Sequence, residues 1–484
     1  MKQKILLSIL FIMSSCVLFA QKEAAHWFFG QGCGLNFLDT HTVTDANGIS
    51  VAGVPKNESS PLNTNEGCFS LSDKDGNIIV FSDGMRVYNK NKQLIASGLN
   101  GHTSSAQSGI LIPYPETPGK YFIISNRQSN TNSGGLFYSI FDSAGNGSVT
   151  NINTPITQSN VSSSRLYENV TSVKHANGND FWLLNRTAGY FFAWHITKTG
   201  FPSSPTVTTI PGTASTTGMG SQGYMKMSPD GKMVCHTSID GPNGEVMFAD
   251  FNNQTGGISN IKLRNWQFGG NDWQNRFYSL EFSPQGKNLF LSFLNTPLYV
   301  IPTNQIATGT PQLVAGASQV GTVQTGPDGR IYGIQSSNSP TKLLAIIPNP
   351  DDDISQLKVH IFNNYLSGGA IWGLPTFVAS FFSLEGDKSF CMKTSKDFTV
   401  FTSGNIGGTT VAYTQWNWGD GSAEEKVMGS GQQIKSHTYK RSGKFTITVS
   451  AHSNTDGLLG SPQTMEVKVA SCIMPVNHNI SVVY

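Results

Sequence analysis

Ser72-Asp73-Lys74-Asp75-Gly76-Asn77-Ile78-Ile79-Val80-Phe81-Ser82-Asp83-Gly84-Met85-Arg86-Val87-Tyr88-Asn89 holds two turns and two apolar runs. Asp75-Gly76-Asn77 supplies residues that tolerate positive φ, as a tight hairpin turn demands. Ile78 to Phe81 is β-branched and aromatic, the composition of a mostly buried strand. Asp83-Gly84 breaks that strand, and Met85 to Tyr88 begins the next. The stretch therefore predicts one blade of a β-propeller.

Variants of the phrase recur along the chain. Pro118-Gly119 leads into Lys120 to Ile124, with Leu136 to Asp142 beyond it, and Asn177 to Asp180 leads into Phe181 to Leu184, with Tyr190 to Ile196 next. Met225-Lys226-Met227-Ser228-Pro229-Asp230-Gly231-Lys232 and Leu280-Glu281-Phe282-Ser283-Pro284-Gln285-Gly286-Lys287 are copies of one another, and Thr325-Gly326-Pro327-Asp328-Gly329-Arg330-Ile331-Tyr332 is a third. Successive turns lie about 40 to 55 residues apart, the period of propeller blades. Each unit would form a four-stranded sheet that buries its faces against its neighbours around an axis. Six units fall between Glu66 and Asn363. The strands expected at Trp27 to Phe37 and Trp372 to Phe382 would jointly build a seventh, with six or eight blades as alternatives. Joining both chain ends in one blade would remove a free sheet edge.

Residues 1–20 read as a secretory signal. Lys2 and Lys4 precede the apolar run Ile5 to Met13, and Leu18-Phe19-Ala20 precedes Gln21, a segment too short to span a bilayer. Lipoprotein processing at Cys16 is the alternative. Only 13% of the 484 residues are charged and the formal net charge is +2. That balance gives no field for nucleic acid or acidic membrane, and no later stretch is apolar enough to span a bilayer. Removal of Cys16 leaves Cys33, Cys68, Cys235, Cys391 and Cys472, an odd number. Cys33 with Cys68, and Cys391 with Cys472, are the candidate disulfides of an oxidising compartment.

Five further segments carry a family likeness. Trp27-Phe28-Phe29-Gly30 with Gly34-Leu35-Asn36-Phe37, Glu66-Gly67-Cys68-Phe69-Ser70, Ser82 to Asn89, Ser104 to Gly109 and Gly373-Leu374-Pro375-Thr376-Phe377 resemble the N-terminal propeller of secreted Bacteroidetes surface proteins. In those proteins a PKD (polycystic-kidney-disease-type) domain commonly follows. Trp416-Asn417-Trp418-Gly419-Asp420-Gly421-Ser422, His437-Thr438-Tyr439 and Gly443 to Val449 are similar to the PKD signature. Phe445, Ile447 and Val449 alternate with Lys444, Thr446 and Thr448, as in a half-buried antiparallel strand. The fold class expected is all-β: a propeller over residues 22–382, then an immunoglobulin-like sandwich over 387–472 and a short tail, 473–484. The resemblance implies a role at the cell surface in adhesion or polymer capture. Such relatives often end in a sorting domain, which is not expected after the sandwich here.

Chemistry is sparse in the sequence. His102, His175, His195, His236 and His437 are scattered, with no His-Glu-x-x-His spacing, and read as structural or surface residues. No Gly-x-Ser-x-Gly elbow occurs. Asp73 to Asn77 reads as a solvated hairpin turn, since its glycine comes too early for a calcium loop and no Glu closes it, and Asp351-Asp352-Asp353 reads as a charged loop, with a hard-cation site as the alternative. No catalytic, cofactor-binding or metal-ligating residue is assigned. Trp266, Trp273 and Tyr278, near Arg264 and Arg276, are the candidate ligand-stacking residues, because exposed aromatic rings can stack on sugars; packing between blades is the competing reading. The function expected is an exported, non-enzymatic binding or scaffold protein with a protein or polysaccharide partner. The alternative is a propeller hydrolase acting on glycans or peptides. The expected location is extracellular or at the cell surface, with a lipoprotein or periplasmic form as alternatives.

Overall fold

The computed structural model describes residues 22–470, apart from 74, 129–134, 159–165, 178, 212–220, 230, 240–244, 267, 269–275, 285, 380–381, 387–388, 394, 403–404 and 407–408. The expected leader at 1–20, with Cys16, and the expected tail at 473–484 lie outside the described residues.

The N-terminal unit is a β-propeller. Its first sheet has three strands, His26–Phe29, Gln31–Thr44 and Ser50–Asn63. Six four-stranded antiparallel sheets follow, each wound outward in chain order. Their innermost strands are Phe69–Ser72, Gly109–Pro113, Thr171–Lys174, Met225–Met227, Phe277–Phe282 and Val323–Thr325. These meet one another in succession, beginning with His26–Phe29. The opening stretch behaves as its residues require: Asp73 Oδ1 accepts from the backbone N–H groups of Asp75 and Asn77, each at 2.9 Å, while Gly76 takes a φ of +95°.

The last sheet returns to the first. Trp27 and Phe37 pack edge-on against Tyr332, with centroids 5.7 and 5.0 Å away. The long first hairpin reaches across the seam. Arg330 donates to the Ala52 carbonyl at 3.0 Å, and the Asp45 carboxylate lies 2.8 Å from His360 Nδ1. That hydrogen bond holds the Asp45 carboxyl below its ordinary range.

The C-terminal segment departs from expectation. It does not complete the first sheet, whose outer strand, Ser50–Asn63, comes from the N-terminal hairpin. Gln31 and Gly369 exchange backbone hydrogen bonds of 2.7 and 3.2 Å, and the chain then turns inward. Trp372 N–H donates to Asn65 O, Thr376 N–H to Cys68 O and Ala379 N–H to Ser172 O, at 2.9, 2.9 and 2.7 Å. Cys68 and Pro375 form a parallel bridge, as do Val173 and Ala379. The Trp372 carbonyl also accepts from Thr322 Oγ1 and from the Tyr224 hydroxyl. One segment thus touches the second, fourth, fifth and seventh sheets, so it runs along the axis they share, parallel to the inner strands. A strand edge needs partners for its N–H and C=O groups, and the axis offered more of them than the first sheet did.

The C-terminal module is a two-sheet sandwich. Phe382–Gly386, Ser395–Thr402 and Gly431–Thr438 form one sheet, and Ser389–Cys391, Leu458–Ala470, Gly443–His452, Tyr413–Asn417 and Glu425–Met428 the other. The first of these strands, Phe382–Gly386, falls between the expected end of the propeller at 382 and the expected start of the sandwich at 387. Trp416 and Trp418 are both buried, as are Phe445, Ile447 and Val449. Tyr439 donates from its hydroxyl to the Trp418 carbonyl at 2.9 Å. His437 stacks on Trp418 and meets the Asp420 carboxylate at 2.9 Å.

Gly373 fixes the axial path. A Cβ there would sit 1.7 Å from the Glu66 carbonyl oxygen, and backbone on backbone cannot yield cheaply. Gly373→Ala is therefore expected to lose about 1–3 kcal/mol of stability, read as a lower urea midpoint at unchanged m-value. An unshifted midpoint would mean that the segment packs more loosely than described.

Candidate functional site at the mouth of the axial channel

The residues that lead into the inner strands converge where the axial segment begins. Glu66 precedes Phe69–Ser72, Gln107 precedes Gly109–Pro113, Glu168 and Asn169 precede Thr171–Lys174, and Tyr224 precedes Met225–Met227. Close approach of the strands explains the glycines nearby: a Cβ on Gly67 would lie 2.1 Å from Ser108 N, and one on Gly223 2.0 Å from Thr237 O.

Glu66 stands at the centre. Ser104 Oγ donates to its Oε1 at 2.6 Å, and the Tyr278 hydroxyl bonds its Oε2. Burial, reinforced by the negative charge of Glu168, pushes the Glu66 carboxyl up to about 8, and the bonds from Ser104 and Tyr278 only partly oppose this. Two carboxylates in one dry site cannot both ionise cheaply. Glu66 is accordingly the neutral acid at pH 7. Both of its partners are hydroxyls, which can accept as well as donate, so the contacts survive protonation. Glu168 is fully buried and accepts from the Ala106 N–H at 3.0 Å. Gln107 Oε1 accepts from the N–H groups of Val170 and Met225, at 3.1 and 2.8 Å. It thereby ties the third, fourth and fifth sheets together.

A second cluster adjoins this one. Arg186, 1% exposed, donates to Glu245 at 2.7 Å and to His236 Nδ1 at 3.2 Å, beneath the Tyr167 ring. Burial first, and then the Arg186 charge, push the His236 imidazole well below its ordinary range. Since Nδ1 accepts from the guanidinium, the ring proton sits on Nε2. That nitrogen lies 2.7 Å from Asn169 Nδ2, and turning the carboxamide end for end presents its oxygen as the acceptor this tautomer needs.

Two of the three candidate stacking residues, Trp266 and Tyr278, are buried. Trp266 is buried, with its indole N–H donated to Gly309 O at 2.9 Å and the Arg264 guanidinium over its ring. Tyr278 is fully buried in the inner strand Phe277–Phe282, with its hydroxyl on Glu66. Packing prevails because a buried aromatic gains its whole apolar area while its polar tip still finds a partner. Trp273 lies outside the described residues. Cys33, Cys68 and Cys235 are buried free thiols, so the expected Cys33–Cys68 bond is absent. Both of these cysteines sit in one apolar cluster, where a neutral thiol packs as a small hydrophobe, and burial pushes the Cys33 thiol up to about 12. Nothing is described of the Cys391 side chain, and Cys472 lies outside the described residues.

One cluster escaped the sequence reading. His175, Asp180 and His195 bring ligand-type atoms within 4.8 Å of one another. His175 accepts from Asn177 N–H at 2.9 Å and faces Gln254 O at 3.2 Å, and His195 Nε2 meets Asp180 at 3.0 Å. The two imidazoles stack at 4.3 Å and 16°, so their lone pairs lie in two separate, nearly parallel planes, a poor arrangement for sharing one ion. The cluster reads as a hydrogen-bonded surface brace.

A scan of family models matches residues 389–467 to the PKD domain. Those residues form a PKD domain. No curated protein matches the sequence. Among solved structures, the chain is similar to a Bacteroides fragilis protein described as a 6-phosphogluconolactonase, with 11% identity over 72% of this chain and 96% of that one, at a TM-score of 0.44. It is similar to the β-propeller domain of Cps50 (Swd1) from Myceliophteria thermophila, with 11% identity over 72% of this chain and 94% of that one, at a TM-score of 0.31. It is also similar to the extracellular domain of a protein from B. thetaiotaomicron described as a one-component system. There the identity is 13% over 93% of this chain and 56% of that one, at a TM-score of 0.37, so the chain spans little more than half of that neighbour. These likenesses concern fold alone. Among the described residues no helix is long and apolar enough to cross a membrane. A PKD domain joined to a propeller fits a surface-associated protein.

The Glu66 acid makes stability depend on pH. Its folded pKa is raised, so the native state keeps a proton that the unfolded chain releases, and stability falls as pH rises from about 4.5 to about 8. Glu66→Gln is expected to remove that part of the slope, which urea midpoints at pH 5 and pH 8 (order-of-magnitude settings for the two limits) would show. An identical slope in the variant would mean that Glu66 is ionised in the native state.

Proposed function

We propose that the chain is an exported, non-enzymatic binding or scaffold protein, acting in adhesion or in capture of a polymer or protein at the cell surface. The observation that supports this most is the path of Trp372 to Ala379, which occupies the axial channel and is hydrogen-bonded to residues of four sheets. A hydrolase acting across the central face needs carboxylates open to substrate. Glu66 and Glu168 are buried. The PKD domain supports a surface role, and the basic, then apolar, start of the chain supports export. Low charge and a net +2 favour neutral polymers or proteins over nucleic acid as partners.

The reading is tested with residues 21–484 as the purified chain, screened by thermal shift against polysaccharides, sialic acid, peptides and calcium. A ligand at one hundred times its Kd adds about 2.7 kcal/mol to native stability. A saturable shift from a polymer that is not consumed is the expected outcome. New reducing ends or cleaved peptide would refute the non-enzymatic assignment.

A further inference from the structure

The axial segment leans to one side. Its deeper hydrogen bonds go to Cys68 and Ser172, in the second and fourth sheets, and space remains on the side of the fifth, sixth and seventh. A cavity of about 110 Å³ lies there, at the far end of the channel from Glu66. Three polar side chains enter it, one from each of three consecutive inner strands: Lys226, Glu281 and Gln324. They hold one position in the repeat, two residues before Ser228-Pro229, Ser283-Pro284 and Gly326-Pro327. Phe282 and Phe377 form apolar wall around them.

We propose that this cavity is a binding site for a small neutral hydroxylated molecule, such as a monosaccharide or the terminal sugar of a larger glycan. Lys226, 7% exposed, donates to Glu281 at 2.9 Å and to the Gln324 side-chain oxygen. An ammonium has three protons, and the third has no acceptor among the described residues. Leaving a buried donor unmade is costly, so the site calls for an acceptor atom from outside the chain. Glu281 already neutralises Lys226, which removes the preference for an anion. The Glu281 carboxylate takes Lys226 and the Phe282 N–H and keeps spare lone pairs. One free donor beside one spare acceptor matches a hydroxyl, which does both, better than a carbonyl or a carboxylate. An apolar wall with a few convergent polar groups is the ordinary make-up of a small-molecule site. A purely structural ion pair would often have gained as much from apolar replacement. The scaffold reading survives if the cavity binds nothing, so the two can fail separately.

The test is saturation-transfer NMR on the purified chain with glucose, galactose, mannose and glycerol, and with acetate and phosphate as anionic comparisons. Lys226→Met with Glu281→Gln removes both charges together, so that no lone buried charge remains. The expected result is saturable binding of at least one neutral probe, weakened at least about tenfold in that double variant. If the double variant does not fold, Thr325→Phe narrows the cavity while leaving the ion pair in place, and the same loss is expected. No binding by any neutral probe, stronger binding of acetate or phosphate, or binding unchanged in the folded variant would each overturn the assignment.

Discussion

The inner strand of a propeller sheet has one edge with no neighbour in its own sheet, and its N–H and C=O groups must find partners at the axis. In this chain the axial segment supplies part of that pairing. Asn65 O, Cys68 O and Ser172 O accept its backbone N–H groups, and Gly373 has no side chain because the Glu66 backbone lies against it. The path of the chain after the last sheet follows from this constraint. It straps the seam between first and last sheets at Tyr365 and Gly369, turns along the axis and continues into the sandwich. Closure of the ring and attachment of the PKD domain are therefore one structural device.

The same device divides the channel chemically. At its mouth the side chains satisfy one another: Glu66 is kept neutral by burial and by Glu168, and Gln107 stitches three sheets through backbone groups. At the far end the segment leaves a gap, and the ion pair of Lys226 and Glu281 faces it with a donor to spare. A raised carboxyl pKa is often a mark of catalysis. Here burial and the neighbouring charge of Glu168 raise it.

Much of the architecture was legible because turn chemistry is local. Asp73 caps its own turn, Gly76 takes the positive φ, and the three Pro-containing copies each fall where an inner strand ends. Trp416, Trp418, Phe445, Ile447 and Val449 were legible as a sandwich core through period-two burial. What failed was non-local. Trp372 to Ala379 is an apolar run that reads as a strand, and nothing in its composition says that its partners are spread around an axis. The strand Ser50–Asn63 is polar and proline-containing, without alternation, so its pairing to Gln31–Thr44 was invisible. For Trp266 and Tyr278 the sequence left ligand stacking and packing between blades both open. Their burial depends on Glu66 and Gly309, each far away in sequence. The equivalence of Lys226, Glu281 and Gln324 was present in the repeats but acquires meaning only when the three strands stand side by side.

The central claim is that Trp372 to Ala379 lies in the channel and pairs with the inner strands. Hydrogen–deuterium exchange of the purified chain, followed on peptides covering residues 370–379, tests it most directly. Amides bonded within the core exchange only through opening of the structure, whereas solvated amides exchange freely. Protection at Trp372, Thr376 and Ala379 comparable to that of Thr171–Lys174 is the predicted result. Exchange as fast as that of freely solvated amides would contradict the axial placement, and with it the closed channel.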